Sequence, residues 1–190
     1  MIKRILAFLI IIGIITVPVQ AEEKSNIVLK FNSNAQVDIK SITPYYDSSV
    51  ETTSSYEGKC ARIYGSASGT SVGEILIPES GQNTLFIAQS VKVKNSEDAQ
   101  IRIMCDKRAF ITISFSGNQI KALGKNGYTR LRSYNPGEWI HVQVNVNFSQ
   151  GIYDVLIDGI KMGGALSFPV TATSADAVQY VVNGTKDASE

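Results

Sequence analysis

Short runs in which apolar and polar residues alternate are the feature that most constrains the fold of this chain. Val142, Val144 and Val146 alternate with Gln143 and Asn145. Because successive side chains of a β-strand point to opposite faces, such a run predicts a half-buried strand. Few windows show helical periodicity. Further strands are predicted at 27–31, 59–64, 72–77, 84–94, 99–105, 109–115 and 177–182.

Turn residues separate these runs. Asp158-Gly159 lies between two apolar segments and predicts a tight hairpin, since both residue types tolerate positive φ. The run from Ser116 to Gln119 predicts a second hairpin turn. The region 32–58 is rich in Ser, Thr, Asn and Tyr and contains Pro44. It predicts loops with one or two edge strands, because proline cannot donate to a central ladder.

Many short strands, spaced by roughly 8–12 residues with almost no helix, are typical of a sandwich or a barrel. The cysteine–tryptophan–cysteine order of an immunoglobulin domain is absent, because Trp139 follows both Cys60 and Cys105. The chain is also longer than a simple immunoglobulin sandwich. The sequence therefore predicts an all-β, two-sheet antiparallel jelly-roll sandwich.

The amino-terminal segment has the layout of a secretory signal peptide. Two basic residues precede an apolar run from Ile5 to Val17, which is too short for an ordinary membrane span, and small residues lead to Ala21. We predict cleavage after Ala21, a single domain over 22–185, and a flexible tail over 186–190. The mature chain is expected to be secreted or extracytoplasmic and not bound to a membrane.

Charge and cysteine content narrow the classes of partner. The 18 basic and 17 acidic residues nearly balance, so nucleic acid is not expected as a partner.

An exported chain can keep a disulfide, and a Cys60–Cys105 bridge is possible. The alternative is two separate small buried residues, since Cys60 is out of phase with the apolar residues of its strand. The oligomeric state stays open.

The segment 133–162 carries a family resemblance. It resembles the concanavalin A-like, laminin G-like jelly rolls, in which a G-x-W turn, an alternating strand and an aromatic-x-V-x-x-D-G hairpin follow one another. Segment 109–120 is similar to the preceding strand pair, and a strand at 177–182 would pair back near the first. The resemblance implies a secreted lectin-like or glucanase-like domain that contacts carbohydrate. The matching residues are Gly137-Glu138-Trp139, Val142, Val144, Val146 and the run from Tyr153 to Gly159.

Catalysis has little support in these residues, and no catalytic residue is predicted. Retaining glycosidases of this fold place two carboxylates about 5–5.5 Å apart, which on one strand calls for a Glu-x-Asp-x-x-Glu-like run, and no Asp or Glu residues of this chain have that layout. The resemblance implies that a lyase would use a Tyr with His and Arg; His141, Tyr128, Arg130 and Arg132 are the residues available. A small polysaccharide lyase or glycosidase is therefore one alternative function. A structural or adhesion protein that binds another protein is the other.

A non-catalytic carbohydrate-binding surface is the leading prediction, because amide, hydroxyl and guanidinium groups suit sugar hydroxyls. The plain solvent face of an antiparallel sheet is the competing interpretation. Trp139 is expected in the core, with ligand stacking as the alternative. Calcium is possible through Asp47, Asn95, Glu97 and Asp98, although no spacing demands a site. The predicted ligand-binding residues, expected along one side of a sheet and near it, are Thr112, Ser114, Arg130, Arg132, His141, Gln143 and Asn145.

Overall fold

The structure is a computed structural model of the chain. It describes the backbone of residues 26–33, 43–45, 50–55, 58–64, 70–77, 83–93 and 98–183, with side chains from residue 70 onward. The predicted signal peptide at 1–21 and the predicted tail at 186–190 lie outside these ranges. Within them, no helix is long and apolar enough to cross a membrane.

The described residues form fourteen β-strands. In chain order these are β1 Asn26–Ser33, β2 Thr43–Tyr45, β3 Val50–Ser55, β4 Gly58–Tyr64, β5 Thr70–Leu76, β6 Thr84–Val93, β7 Ala99–Cys105, β8 Arg108–Ser116, β9 Gln119–Gly124, β10 Gly127–Ser133, β11 Trp139–Asn147, β12 Ile152–Ile157, β13 Ile160–Ser167 and β14 Ala177–Asn183.

The strands make two seven-stranded sheets. Sheet A has the order β13-β12-β11-β6-β1-β4-β3, and sheet B has the order β10-β9-β8-β7-β14-β5-β2. Neighbouring strands pair antiparallel throughout both sheets. The predicted all-β, two-sheet antiparallel jelly-roll sandwich is confirmed.

The core lies between the two sheets. Val142, Val144 and Val146 of β11 point inward, as their alternation predicts, and they meet Ile101 and Ile113 of sheet B in one apolar cluster. Each fully buried aliphatic side chain stabilises the fold by about 1.5–3 kcal/mol. The alternation in β11 therefore decides which of its faces joins the core.

The turns follow the predicted chemistry. Asp158 and Gly159 have φ values of 50° and 79°, and Gly117 and Asn118 have values of 57° and 59°. These left-handed pairs reverse the chain between β12 and β13 and between β8 and β9. A third such pair, Asp106 and Lys107, joins β7 to β8 and carried no strong turn signal in the sequence.

The weakly patterned region 32–58 supplies two edge strands, as predicted. β2 is the last strand of sheet B and β3 is the last strand of sheet A. The late strand β14 corrects a prediction. It pairs with β5 and β7 of sheet B and not with β1, which lies in sheet A, because β5 and β7 occupy both of its edges.

At the side of the sandwich away from β2 and β3, edge strand β10 of sheet B lies against edge strand β13 of sheet A. Tyr153 of β12 donates a hydrogen bond from its hydroxyl to the carbonyl of Leu123 in β9, over 2.7 Å. Burial raises the pKa of the Tyr153 hydroxyl, so this group stays a donor over the physiological range. This contact joins sheet A to sheet B beside strand β11, which carries three of the seven predicted ligand-binding residues.

Candidate functional site: the outer face of sheet A

The outer face of sheet A, called face A from here on, is organised by strand β11. The valines of β11 point into the core, so Trp139, His141, Gln143, Asn145 and Asn147 point outward. Strand β6 adds one side chain to each of five rows, and strand β12 adds one to three of them. The rows are Lys92–Trp139, Ser90–His141, Ala88–Gln143–Leu156, Phe86–Asn145–Asp154 and Thr84–Asn147–Ile152.

A cavity of about 350 Å³ opens at the Asn147 end of face A. Most of its polar side chains are amides, and one is a carboxylate. Phe86 supplies an aromatic wall. Small-ligand sites commonly combine an apolar surface with a few polar groups in this way. The lining residues are Thr84, Leu85, Phe86, Asn145, Val146, Asn147, Gln150, Ile152, Tyr153 and Asp154.

The amides in and beside this cavity are held by hydrogen bonds to one another. The Gln143 Nε2 donates to Asn145 Oδ1 over 3.1 Å, and the Asn147 Nδ2 donates to Gln150 Oε1 over 3.1 Å. The turn after β11 also donates to Asn147 Oδ1, from the Ser149 hydroxyl over 2.8 Å and the Gln150 amide over 3.1 Å. Because an amide side chain has two donor hydrogens and two acceptor lone pairs, each keeps capacity for a ligand.

Asp154 is the one carboxylate that lines the cavity. Lys161 Nζ donates to its Oδ2 over 2.7 Å, and the backbone amide of Ala165 donates to its Oδ1 over 2.7 Å. The hydrogen bond from Lys161, followed by the one from Ala165, lowers the pKa of the Asp154 carboxyl. Asp154 is therefore an ionised acceptor near neutral pH and not a proton donor.

Trp139 lies at the other end of face A, which corrects its expected place in the core. The residue is 38% exposed, and the Lys92 ammonium lies 4.9 Å from the centre of its ring. The reason is the alternation of side chains along β11. Trp139 lies on the same side of the strand as His141 and Gln143, whereas Ile140 points inward and is fully buried.

His141 lies one row further along, exposed on the same face. Its Nδ1 is 3.4 Å from the Ser90 hydroxyl, and its backbone amide donates to Asp158 Oδ1 over 2.8 Å. Of the predicted ligand-binding residues, His141, Gln143 and Asn145 are thus brought together on face A.

Thr112 and Ser114 are not brought to that face. They belong to β8, and they point to the outside of sheet B, called face B from here on. There they pair in register with Arg102 and Lys121. Thr112 is 5% exposed and Ser114 is 6% exposed. The expected single polar face is wrong in its placement, because β8 and β11 belong to different sheets; ligand binding by either residue stays a prediction.

Arg130 and Arg132 occupy the edge strand β10. The Arg130 guanidinium donates to the Ser133 hydroxyl over 2.8 Å. Arg132 lies beyond a register shift and turns toward sheet A, where it pairs with Asp158 over 2.6 Å and with Glu138 over 3.3 Å. The described contacts of Arg132 are ion pairs that join the two sheets, so its predicted part in ligand binding remains a prediction.

The predictions on metal and disulfide fall partly outside the described residues. Among the described residues no group of three or more His, Cys, Asp or Glu could hold a metal ion. Of the candidate calcium ligands, only Asp98 is described. Cys105 is a free thiol, 3.8 Å from Asp106 Oδ2 and 3.9 Å from the Ser174 hydroxyl. The side chain of Cys60 is outside the described residues.

Sequence reasoning missed Phe86, Lys92, Asn147, Gln150 and Asp154 as members of face A. Asn147 continues the phase of Asn145, so alternation alone could have found it. Phe86 and Lys92 required the pairing of β6 with β11, which joins residues about fifty positions apart. Asp154 required the register between β11 and β12.

Comparison with known proteins informs the fold. No family model matches the chain, and no curated protein matches it. A solved structure titled "Sialidase" superposes with a TM-score of 0.64 at 15% sequence identity. The match covers 78% of this chain and 14% of that chain, so this protein spans a small part of its length. At this identity the likeness shows a shared fold.

Proposed function

We propose that this protein is a secreted, non-catalytic carbohydrate-binding domain of the concanavalin A-like, laminin G-like superfamily. The jelly-roll fold and the motif between 133 and 162 support the superfamily. The structural likeness is to a chain named as a sialidase, a carbohydrate-active enzyme, and it supports a carbohydrate ligand. The signal-peptide pattern over 1–21 supports export.

The observation that carries the proposal is the cavity at the end of face A. Asn145, Asn147 and Gln150 present amide donors and acceptors, Asp154 presents an ionised acceptor, and Phe86 lies on the other side of Asn145. Sugars offer hydroxyls that both donate and accept, together with apolar C–H surface. The cavity therefore matches a sugar ring in both respects.

The same cavity favours binding over catalysis. Its lining contains a single carboxylate, whereas hydrolysis of a glycosidic bond ordinarily uses a pair of carboxyl groups. That carboxylate has a lowered pKa and is paired with Lys161, so it is unsuited to proton donation. His141 is not among the residues that line the cavity, and Arg132 is engaged by Asp158 and Glu138.

A glycan array tests the proposal, probed with the mature chain in the presence and absence of Ca²⁺. We expect specific binding that the double variant Asn145→Ala/Gln150→Ala weakens by about tenfold, since each lost hydrogen bond contributes about 0.5–1.5 kcal/mol. Lys121→Ala, on face B, is the matched control and should bind as the wild type does. Absence of binding to every glycan, or equal loss in both variants, would overturn the proposal.

A further inference from the structure

The two ends of face A along strand β11 carry different side chains. The Trp139 end carries the Lys92 ammonium and the His141 imidazole beside the ion-paired Arg132, Glu138 and Asp158, whereas the Asn147 end carries the cavity and the Asp154 carboxylate paired with Lys161. Trp139 and Asn145 are six residues apart, which corresponds to about 20 Å along an extended strand. A ligand that touches both ends must therefore be an extended chain and not a single sugar.

Lys92 differs from the other described basic residues near face A in its partners. Lys161 is paired with Asp154, and Arg132 is paired with Asp158 and Glu138. Among the described residues Lys92 makes no ion pair; its ammonium lies over the Trp139 ring at 4.9 Å. An ammonium in this cation–π position can still donate its N–H groups to an anion.

We propose that face A binds an acidic oligosaccharide in one direction, with a carboxylate or sulfate at Lys92 and His141 and uncharged hydroxyls in the cavity at Asn145. This inference rests on the proposed function and adds the class of glycan and its orientation. The Lys92 ammonium pairs with the anionic group, and the Ser90 hydroxyl and the His141 ring lie in the next row.

The chemistry of each end sets the direction. A charge-assisted hydrogen bond from an ammonium to a carboxylate or sulfate is about twice as strong as a neutral one. At the other end, Asp154 is already paired with Lys161, and the amides of Asn145, Asn147 and Gln150 offer donors and acceptors for uncharged sugar hydroxyls.

Titration calorimetry on the mature chain with two matched probe pairs tests this inference. The first pair is hexagalacturonate and its fully methyl-esterified form; the second is a heparin-derived hexasaccharide and its desulfated, N-acetylated and carboxyl-reduced form, which carries no charge. We expect at least one acidic probe to bind about tenfold more tightly than its neutral partner, from one charge-assisted contact. The variants Lys92→Gln and His141→Gln should reduce that preference, and Lys121→Gln on face B should keep it.

The outcomes separate this inference from the proposed function. Equal affinity for the acidic and neutral members of both pairs, or a preference that survives Lys92→Gln, would overturn the inference while carbohydrate binding stands. The double variant Asn145→Ala/Gln150→Ala should weaken both members of a pair by the same factor. Failure to bind any of the four probes overturns the inference, and a glycan array without binding overturns the proposed function as well.

Discussion

The outer faces of the two sheets show similar alternation in the sequence but have different properties in the structure. On face A, the outward residues of β11 are exposed or half-buried, and a cavity opens between β6, β11 and β12. On face B, Thr112, Ser114 and Val181 point outward and yet are buried, and Val181 is fully buried. Val181 is nevertheless absent from the apolar cluster between the sheets.

The polar groups of face B are also bonded to one another. Arg102 donates to Gln100 over 2.8 Å, and Gln179 donates to Glu74 over 2.7 Å. Amides on both faces bond to neighbouring side chains, but on face A they surround a cavity. Alternation thus indicates which side chains leave the core, and the surroundings of the sheet decide whether those side chains meet solvent.

The largest expected effect comes from placing a charge on each face. Val181→Asp buries an unpaired carboxylate on face B and should lower the free energy of unfolding by about 3–5 kcal/mol. Gln143→Asp on face A is the matched substitution and should change it by less than about 1 kcal/mol, since the new carboxylate is half-exposed. Urea denaturation followed by fluorescence measures both. Similar losses in the two variants would show that the faces do not differ.

The fold could be predicted from the sequence because its main signals are local. Val142, Val144 and Val146 identify the inner face of one strand, and Asp158-Gly159 identifies a hairpin from two adjacent residues. The pairing order of the strands was not accessible in the same way. The Arg132–Asp158 contact joins strands of different sheets, and it depends on where β10 and β13 meet at the sheet edges.

Trp139→Ala gives the next largest effect and tests whether the indole on face A contributes to ligand binding as well as to stability. A fully buried aromatic side chain costs about 3–5 kcal/mol when it is removed. Trp139 is 38% exposed, so we expect about 1–2 kcal/mol in urea denaturation and a clear loss of glycan affinity. A stability loss of about 3–5 kcal/mol, as for a fully buried aromatic residue, with unchanged glycan binding would show that Trp139 has only a structural role.

Only part of the candidate site could be predicted from the sequence, for a physical reason. His141, Gln143 and Asn145 share one strand, so their common phase shows that they share a face. Thr112 and Ser114 likewise lie on one side of β8, but alternation within a strand does not show which sheet that strand joins. Lys92 and Asp154 reach face A through cross-strand register, which no short window of sequence contains.

Arg132→Met separates the ion pairs of the sheet edge from the proposed ligand surface. The substitution keeps the apolar stem and leaves Asp158 and Glu138 without their shared cation. We expect a loss of about 1 kcal/mol in the free energy of unfolding, because the three side chains are partly exposed. Glycan affinity should stay within error of the wild type. A larger effect on affinity than Lys92→Gln would place Arg132 in the ligand site.

The smallest expected effect concerns Asp154 and its pH dependence. Since the folded-state pKa of this carboxyl lies below its usual value of 3.8, its ion pair with Lys161 stabilises the fold at neutral pH and down to about 4. That contribution, below about 1 kcal/mol for a partly exposed pair, is lost as pH falls through the lowered folded-state value. Urea denaturation of the wild type and Asp154→Asn should therefore differ at pH 7 and converge at strongly acidic pH. A gap that widens on acidification would mean that Asp154 is not stabilised as an ion, and the cavity on face A would then lack its fixed negative charge.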